Sequence, residues 1–200
     1  MKIILVGANG TIGKHVKKTL EAAKHEVISV GKKSGDFQVN IESPESVAQL
    51  YKKIENFDAV VNASGEIAFA PLAAITQDQW FSSFQSKLLG QINLVQQALP
   101  FINERGSFTL VSGILGEEQI FAGTVASTVN SALEGFVKAA ACELPKGLRI
   151  NIVSPTVLQD SVGVYGDFFP GFTPVSGEKV ALAFKKSVMG VQTGKVFQVF

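Results

Sequence analysis

The chain has 200 residues, of which 46% are hydrophobic and 18% charged, a composition typical of one globular domain that can bury a substantial core. Its formal net charge of +1 excludes the basic surface that attracts nucleic acids and anionic membranes. The single cysteine, Cys142, excludes an intramolecular disulfide and a multi-cysteine metal site, and the sequence holds no other set of metal ligands.

In chain order, short apolar runs alternate with longer amphipathic segments. Several of the runs are continuous and β-branched, which is typical of strands covered on both faces. The predicted strands are Lys2–Val6, Glu26–Val30, Ala59–Asn62, Phe108–Val111, Leu148–Val153 and Lys195–Val199. The predicted helices are Thr11–Ala23, Pro44–Ile54, Gln77–Leu99, Ala126–Cys142 and Glu178–Met189. Repeated strand-then-helix units predict an α/β fold with a parallel sheet and helices on both of its faces.

Two segments, Glu66–Thr76 and Gln159–Gly177, lack a regular pattern. We expect them to be loops at the carboxyl ends of strands, where open α/β sheets bind ligands. The opening residues, MKIILVG, are too short for the apolar part of a secretory signal, and no apolar run reaches membrane-spanning length. We therefore expect a soluble, cytoplasmic protein, in which Cys142 is a buried and inert thiol on an apolar helix.

The segment GANGTIG, at Gly7–Gly13, follows the first predicted strand and opens the first predicted helix. In this context Gly7 allows a tight turn, Gly10 a close approach to a pyrophosphate, and Gly13 close packing of the helix on the strand. Exposed amides and the helix dipole then favour an anion. The pattern predicts nucleotide binding rather than a glycine turn without a ligand. The predicted contacts in this loop are Gly7, Asn9, Gly10, Thr11, Ile12 and Gly13.

The second predicted strand is followed by Lys32, Lys33 and Ser34, at the place where a dinucleotide-binding fold usually has an acid that binds the ribose 2′-hydroxyl. Two cations and a hydroxyl suit a 2′-phosphate instead, which favours NADP(H) over NAD(H). The alternative is a solvated lysine pair in a turn.

Six sequence blocks, in this order and spacing, resemble the short-chain dehydrogenases/reductases along the whole chain. The blocks are GANGTIG at 7–13, VNASG at 61–65, LLGQINLVQQALPFI at 88–102, FTLVSG at 108–113, SALEGFVKAAACEL at 131–144 and RINIVSPT at 149–156. The resemblance implies one doubly wound Rossmann domain over residues 1–200, with a mainly parallel seven-stranded sheet and three helices on each face. The further cofactor contacts that we expect are Asn40, Asn62, Ala63, Ser64, Gly65, Pro155 and Thr156.

The family transfers a hydride between a nicotinamide and a carbonyl or alcohol carbon, with the help of a serine, a tyrosine, a lysine and an asparagine. On the aligned blocks, these four positions hold Gly113, Ala126, Asn130 and Lys87. No Tyr-x-x-x-Lys sequence occurs anywhere in the chain, so a shifted register cannot restore the pair. The resemblance therefore predicts the position of an active site without the residues that perform its usual proton transfer.

Three residues are weak candidates for replacing the missing groups. Lys87 could bring an ammonium into the site, where burial lowers its pKa, or it could extend to the surface. Tyr165 lies in the expected substrate loop, although packing against Phe168 and Phe169 is the stronger interpretation. Ser112, beside the serine position, has no pKa near neutrality and can only form hydrogen bonds.

The sequence leaves three functions open. The first is an NADP(H)-dependent oxidoreductase with weak or altered hydride transfer on an unidentified small carbonyl or alcohol. The second is a non-catalytic NADP(H)-binding sensor or partner subunit, and the third is a scaffold that no longer binds a nucleotide, which the intact glycine loop argues against. The resemblance also implies a homo-oligomer, a dimer or tetramer, formed through the helices at 77–99 and 126–142. No nucleic-acid or membrane partner is expected.

Overall fold

The computed structural model describes residues 1–200 and contains one seven-stranded sheet in which every pair of neighbouring strands is parallel. The strands are β1 Lys2–Val6, β2 Glu26–Gly31, β3 Phe37–Gln38, β4 Phe57–Asn62, β5 Ile102–Val111, β6 Arg149–Pro155 and β7 Val196–Val199. Their order is β3-β2-β1-β4-β5-β6-β7, which confirms the predicted doubly wound sheet. The order reverses between β1 and β4, and open sheets of this kind bind ligands at such a reversal.

Helices connect most of the strands. They are α1 Thr11–Ala22, α2 Pro44–Ile54, α3 Gln77–Ser83, α4 Gly90–Gln96, α5 Thr124–Glu143, α6 Val162–Tyr165 and α7 Gly177–Met189. A π-helical turn, Phe84–Leu89, joins α3 to α4 without a break, so the predicted helix from Gln77 exists but changes its hydrogen-bonding pattern midway. Such turns are rare and often occur at functional sites.

Local capping explains where two of the helices begin. The Ser43 side chain accepts a hydrogen bond from the Ser46 amide at 3.1 Å. Pro44 occupies the first helical position, which is where the sequence predicted that this helix begins. The helix that begins at Gln77 has a complete capping box, in which Thr76 and Gln79 bond to each other's backbone amides. These local signals place α2 and α3 before any tertiary contact is considered.

Two apolar cores lie on opposite faces of the sheet, and the expectation of three helices on each face is wrong. One face is covered by α2, α4 and α5, whereas only α1 and α7 pack on the other. The link from β2 to β3 is a short loop in which the Asp36 carboxylate accepts a hydrogen bond from the Ser29 amide at 2.8 Å. This loop has too few residues to form a crossover helix on the sheet.

The structure corrects two further expectations. The thiol of Cys142 is exposed on the last turn of α5 rather than buried, because it lies on the outer face of the helix with Ser131, Gly135 and Lys138. The segment at 159–177 is also more regular than expected, since it contains two 3₁₀ turns and the short helix α6. None of the helices combines the length and apolar character needed to cross a bilayer. No cluster of acidic, histidine or cysteine side chains has the arrangement of a metal site.

Candidate functional site

The glycine loop between β1 and α1 has the tight turn and the close packing that the sequence predicted for Gly7 and Gly13. Gly7 adopts a positive φ of +80°, and a β-carbon there would lie 2.9 Å from the Ala63 carbonyl group. A β-carbon at Gly13 would collide with the carbonyl oxygen of Gly7. No side chain caps the amino end of α1 and no acid stands in its first turn, so its amides are open to an anion. These residues fit a dinucleotide pyrophosphate.

A narrow trough of about 110 Å³ begins at this loop and runs along the ends of β1 and β2. The predicted residues that line it are Gly7, Lys32, Asn40, Ser64 and Gly65. Lys33 lies outside it, and the hydroxyl of Ser34 accepts a hydrogen bond from the Asn9 amide group at 2.9 Å. Glu42 also lines the trough, with its carboxylate 4.0 Å from the Lys32 ammonium. Of the predicted basic pair, only Lys32 therefore reaches the trough, and it faces an acid there.

The buried end of β4 shapes the floor of this region. The Asn62 side chain is fully buried and donates to the Ser64 carbonyl at 2.8 Å, while the Ser64 hydroxyl donates back to Asn62 at 2.7 Å. This pair holds the chain in a turn in which Gly65 has a φ of +128°. The segment 62–65 therefore has the rigidity expected of a surface beneath a ribose.

A larger cleft of about 480 Å³ adjoins the trough, with which it shares Gly65 and Glu66. The predicted site residues that line this cleft are Lys87, Ser112, Gly113, Ala126, Asn130, Pro155, Thr156 and Tyr165. The structure thus gathers all four aligned catalytic positions in one place, at the carboxyl ends of β4, β5 and β6. Most of the other lining side chains are apolar, and two of them, Ile67 and Phe69, come from the loop after β4.

Side chains from two helices hold the end of β5, where the family's serine position lies. The Lys87 ammonium donates to the Ser112 carbonyl at 3.1 Å, and the Asn130 amide group donates to the next carbonyl, that of Gly113, at 3.2 Å. Gln91 exchanges hydrogen bonds of 2.9 and 3.0 Å with the backbone of Val111. Gln91 was not predicted, although its place one helical turn after Lys87 puts it on the same helix face.

Lys87 projects from the π-helical turn into the cleft and is partly buried. Its stem lies against Gly65, where a β-carbon would be only 2.9 Å from the Lys87 Cγ atom. Burial lowers the pKa of the Lys87 ammonium to about 8. The hydrogen bond to the Ser112 carbonyl holds the ammonium in the cleft, so this side chain does not extend to the outer surface.

Glu134 is a buried acid behind the cleft that the sequence reasoning did not select. The Ser112 hydroxyl donates to its carboxylate at 3.0 Å, and burial raises the pKa of Glu134. Glu134 lies one helical turn after Asn130, so the helical spacing could have placed both on the face of α5 that meets β5. Ser112 consequently has a cation at its carbonyl and an acid at its hydroxyl.

The two tyrosines have different surroundings. Tyr51 is fully buried in the core, and its hydroxyl donates to the Leu94 carbonyl at 3.0 Å, so it has no access to the cleft. Tyr165 lines the cleft mouth with its ring 6.1 Å from that of Phe69. Phe168 packs on the same Phe69 ring at 5.5 Å. The expected pairing of Tyr165 with neighbouring phenylalanines of its own segment is thus replaced by packing across the mouth.

Two buried polar atoms of the cleft residues have no partner within the protein. They are the side-chain oxygen of Asn130 and the hydroxyl of Thr156, in residues that are 3% and 4% exposed. Buried polar atoms are almost always hydrogen-bonded, so unpaired ones beside a cleft are available to a ligand.

A family model covers most of the chain. Residues 2–182 match the family model described as enoyl-(acyl carrier protein) reductase. The chain belongs to this family of short-chain dehydrogenases/reductases. The resemblance stated from the sequence blocks is confirmed, and the chain is a member of an oxidoreductase family.

Three relatives illustrate the range of similarity within the short-chain dehydrogenases/reductases. The Listeria innocua protein lin1944 is 46% identical, with all of both chains covered and a TM-score of 0.98. A small-chain dehydrogenase solved in complex with NADPH is 21% identical, with a TM-score of 0.88 over 100% of this chain and 96% of its own. An uncharacterized oxidoreductase of Methylorubrum extorquens is 26% identical over 70% of this chain, and the match spans only 56% of that relative's length.

Proposed function

We propose that this single domain is an NADP(H)-binding oxidoreductase in which hydride transfer to a small carbonyl substrate, or from an alcohol, is slow. One observation carries the proposal: the trough at the glycine loop adjoins the cleft, and the two share the lining residues Gly65 and Glu66. When bound, the cofactor supplies or accepts the hydride. Residues of the trough would hold its nucleotide part, and residues of the cleft would orient the substrate beside it.

The preference for NADP(H) over NAD(H) rests on Lys32. Lys32 lines the trough beside the end of β2, where we propose that the 2′-phosphate binds, and the NADPH complex of the related small-chain dehydrogenase supports this choice. Glu42 acts in the opposite direction, because a carboxylate there repels a phosphate and can accept a hydrogen bond from a 2′-hydroxyl. The preference for NADP(H) over NAD(H) is therefore smaller than the preference that two unpaired lysines would produce.

Slow turnover follows from the groups that the cleft lacks. Ala126 offers no hydroxyl at the tyrosine position, and Gly113 none at the serine position. A positioned general acid is worth roughly 10²–10⁴ in rate. The lysine and asparagine positions have exchanged their residue types, and Lys87 and Asn130 contact two consecutive carbonyls from opposite helices. We propose that Lys87 provides the only ammonium of this site.

The direct test is titration of the protein with NADPH and with NADH, followed by intrinsic fluorescence or thermal shift. We expect tighter binding of NADPH, and only slow oxidation of it across a panel of small aldehydes and quinones at high protein concentration. Absence of binding by both nucleotides would contradict the proposal.

The second candidate function is a non-catalytic NADP(H)-binding sensor or partner subunit. It is favoured by the same replacement, Ala126 for a tyrosine, which removes the acid without closing the cleft. Nucleotide binding with no detectable turnover on any carbonyl would select it.

We also propose that the chain forms a homo-oligomer. The exposed face of α5 carries small side chains that allow close approach of a second helix, among them Ser131, Gly135 and Ala139. Phe81 on α3 is 66% exposed. An isologous contact would pair these two helices with their copies.

A further inference from the structure

The cleft contains one ammonium and no carboxylate that pairs with it. Lys87 forms a hydrogen bond with the neutral Ser112 carbonyl, and no acidic oxygen lies within 4.0 Å of its Nζ atom. An ammonium has three N–H donors, so donors remain after the Ser112 bond is formed. A partly buried charge without a counter-ion destabilises the folded protein. A bound anion would reduce this cost in free energy.

The acids nearest to this ammonium do not neutralise it. Glu134 is separated from it by Ser112, and burial raises the pKa of this carboxyl, which favours its uncharged form. Glu66 is an exposed residue at the boundary between cleft and trough. With a pKa of about 8, the Lys87 ammonium is about ten times more abundant than the free amine at pH 7.

Nine of the eighteen residues that line the cleft are hydrophobic, and aromatic side chains stand at its mouth. Its walls include Ile114, Leu115 and Leu158, and the aromatic ring of Phe69 bridges to Tyr165 and Phe168 across the opening. Tyr165 is 43% exposed and Phe168 37% exposed, on a segment that leaves apolar surface in contact with solvent. Apolar surface at the rim of a cavity is typical of a site that receives an apolar ligand.

We propose that this cleft binds a small hydrophobic carboxylate, with the carboxylate on the Lys87 ammonium and an aryl or alkyl body against the Phe69 side of the mouth. The inference rests on the proposed function in assigning the adjoining trough to the nucleotide, and it names the chemical class of the substrate or effector. A carboxylate is preferred over a neutral carbonyl compound because it forms an ion pair with the ammonium, and attraction between opposite charges is stronger in a partly desolvated site than in water.

The test uses 3-phenylpropionate and its neutral isostere, 3-phenylpropanamide, titrated calorimetrically into the full chain at pH 7 with and without saturating NADP⁺. We expect the acid to bind about tenfold more tightly than the amide, because only the acid adds an ion pair with the ammonium. Lys87→Met and Lys87→Gln should remove this preference, and Lys87→Arg should retain it. Phe69→Ala should weaken both probes by a similar factor. Lys18→Met, which removes an exposed cation on α1, is the matched control and should leave the preference unchanged.

Equal affinity for the acid and the amide in the wild type would overturn the proposal. A preference for the acid that survives both Lys87→Met and Lys87→Gln would do the same, as would failure of both probes to bind. Inorganic phosphate that binds as tightly as 3-phenylpropionate would also overturn the proposal, because the site would then recognise any anion. Titration of the same protein with NADP⁺ alone separates the two proposals. Carboxylate selectivity without nucleotide binding would refute only the proposed function, and nucleotide binding without selectivity would refute only this inference.

Discussion

Replacing Lys87 by methionine should stabilise the protein near neutral pH, although it removes a hydrogen bond. Burial lowers the pKa of this ammonium from 10.5 to about 8, so the folded protein binds the proton less tightly than the unfolded chain does. At pH 7 this difference costs about 3 kcal/mol of folding free energy. Methionine keeps a similar stem against Gly65 and carries no charge.

The loss of the hydrogen bond to the Ser112 carbonyl offsets about 1 kcal/mol of that gain. We therefore expect Lys87→Met to raise the free energy of unfolding by about 2 kcal/mol at pH 7. For a chain of this length, such a change raises Tm by about 4–8 °C. The measurement is urea denaturation followed by circular dichroism, with Lys18→Met as a control that should change stability by less than about 0.5 kcal/mol.

The dependence on pH distinguishes this reasoning from a general effect of an apolar substitution. The cost of the Lys87 charge is complete below pH about 8 and disappears as pH rises towards 10.5, where the unfolded chain also loses the proton. The stability advantage of Lys87→Met over the wild type should therefore shrink across that interval. A variant that is less stable than the wild type at pH 7, or an advantage that stays constant from pH 7 to pH 10.5, would refute the assignment of Lys87 as a desolvated cation.

Four further predictions concern the nucleotide, the reaction and the assembly. Lys32→Glu should reverse the preference between NADPH and NADH, measured as the ratio of the two dissociation constants, and an unchanged ratio would remove Lys32 from the 2′-phosphate site. Gly13→Val should abolish binding of both nucleotides, because its side chain would collide with the Gly7 carbonyl and separate α1 from β1; retained binding would contradict the loop assignment. The triple variant Gly113→Ser, Ala126→Tyr, Asn130→Lys should raise the rate of NADPH-dependent carbonyl reduction by roughly 10²–10⁴-fold in steady-state assays, whereas the single variants should change it little. A wild-type turnover already near ~10 s⁻¹ would show that other residues carry the reaction. Light scattering at micromolar concentration should give a dimer or tetramer, and a monomer would refute association through α3 and α5.

Most of the fold was predictable from the sequence because its signals are local. Continuous β-branched runs placed β1 and β2 to within one residue, and Ser43 with Pro44 located the start of α2. The glycine loop was predictable for the same reason, since its three glycines stand between the first strand and the first helix. The two-residue strand β3 was missed because so short a segment has no periodicity to detect.

The sequence by itself also determined which chemistry is absent, because a missing Tyr-x-x-x-Lys pair is a property of the residue order and no folding can supply it. Only the tertiary structure decided where the candidate replacements lie. Whether Lys87 turns outwards or reaches the Ser112 carbonyl depends on the packing of the π-helical turn against β5, between residues that lie 25 positions apart. The burial of Glu134 depends likewise on the packing of α5 against the end of β5, where the Ser112 hydroxyl donates to its carboxylate. The desolvation of a charged side chain arises from contacts between distant segments. A local pattern of residue types does not predict those contacts.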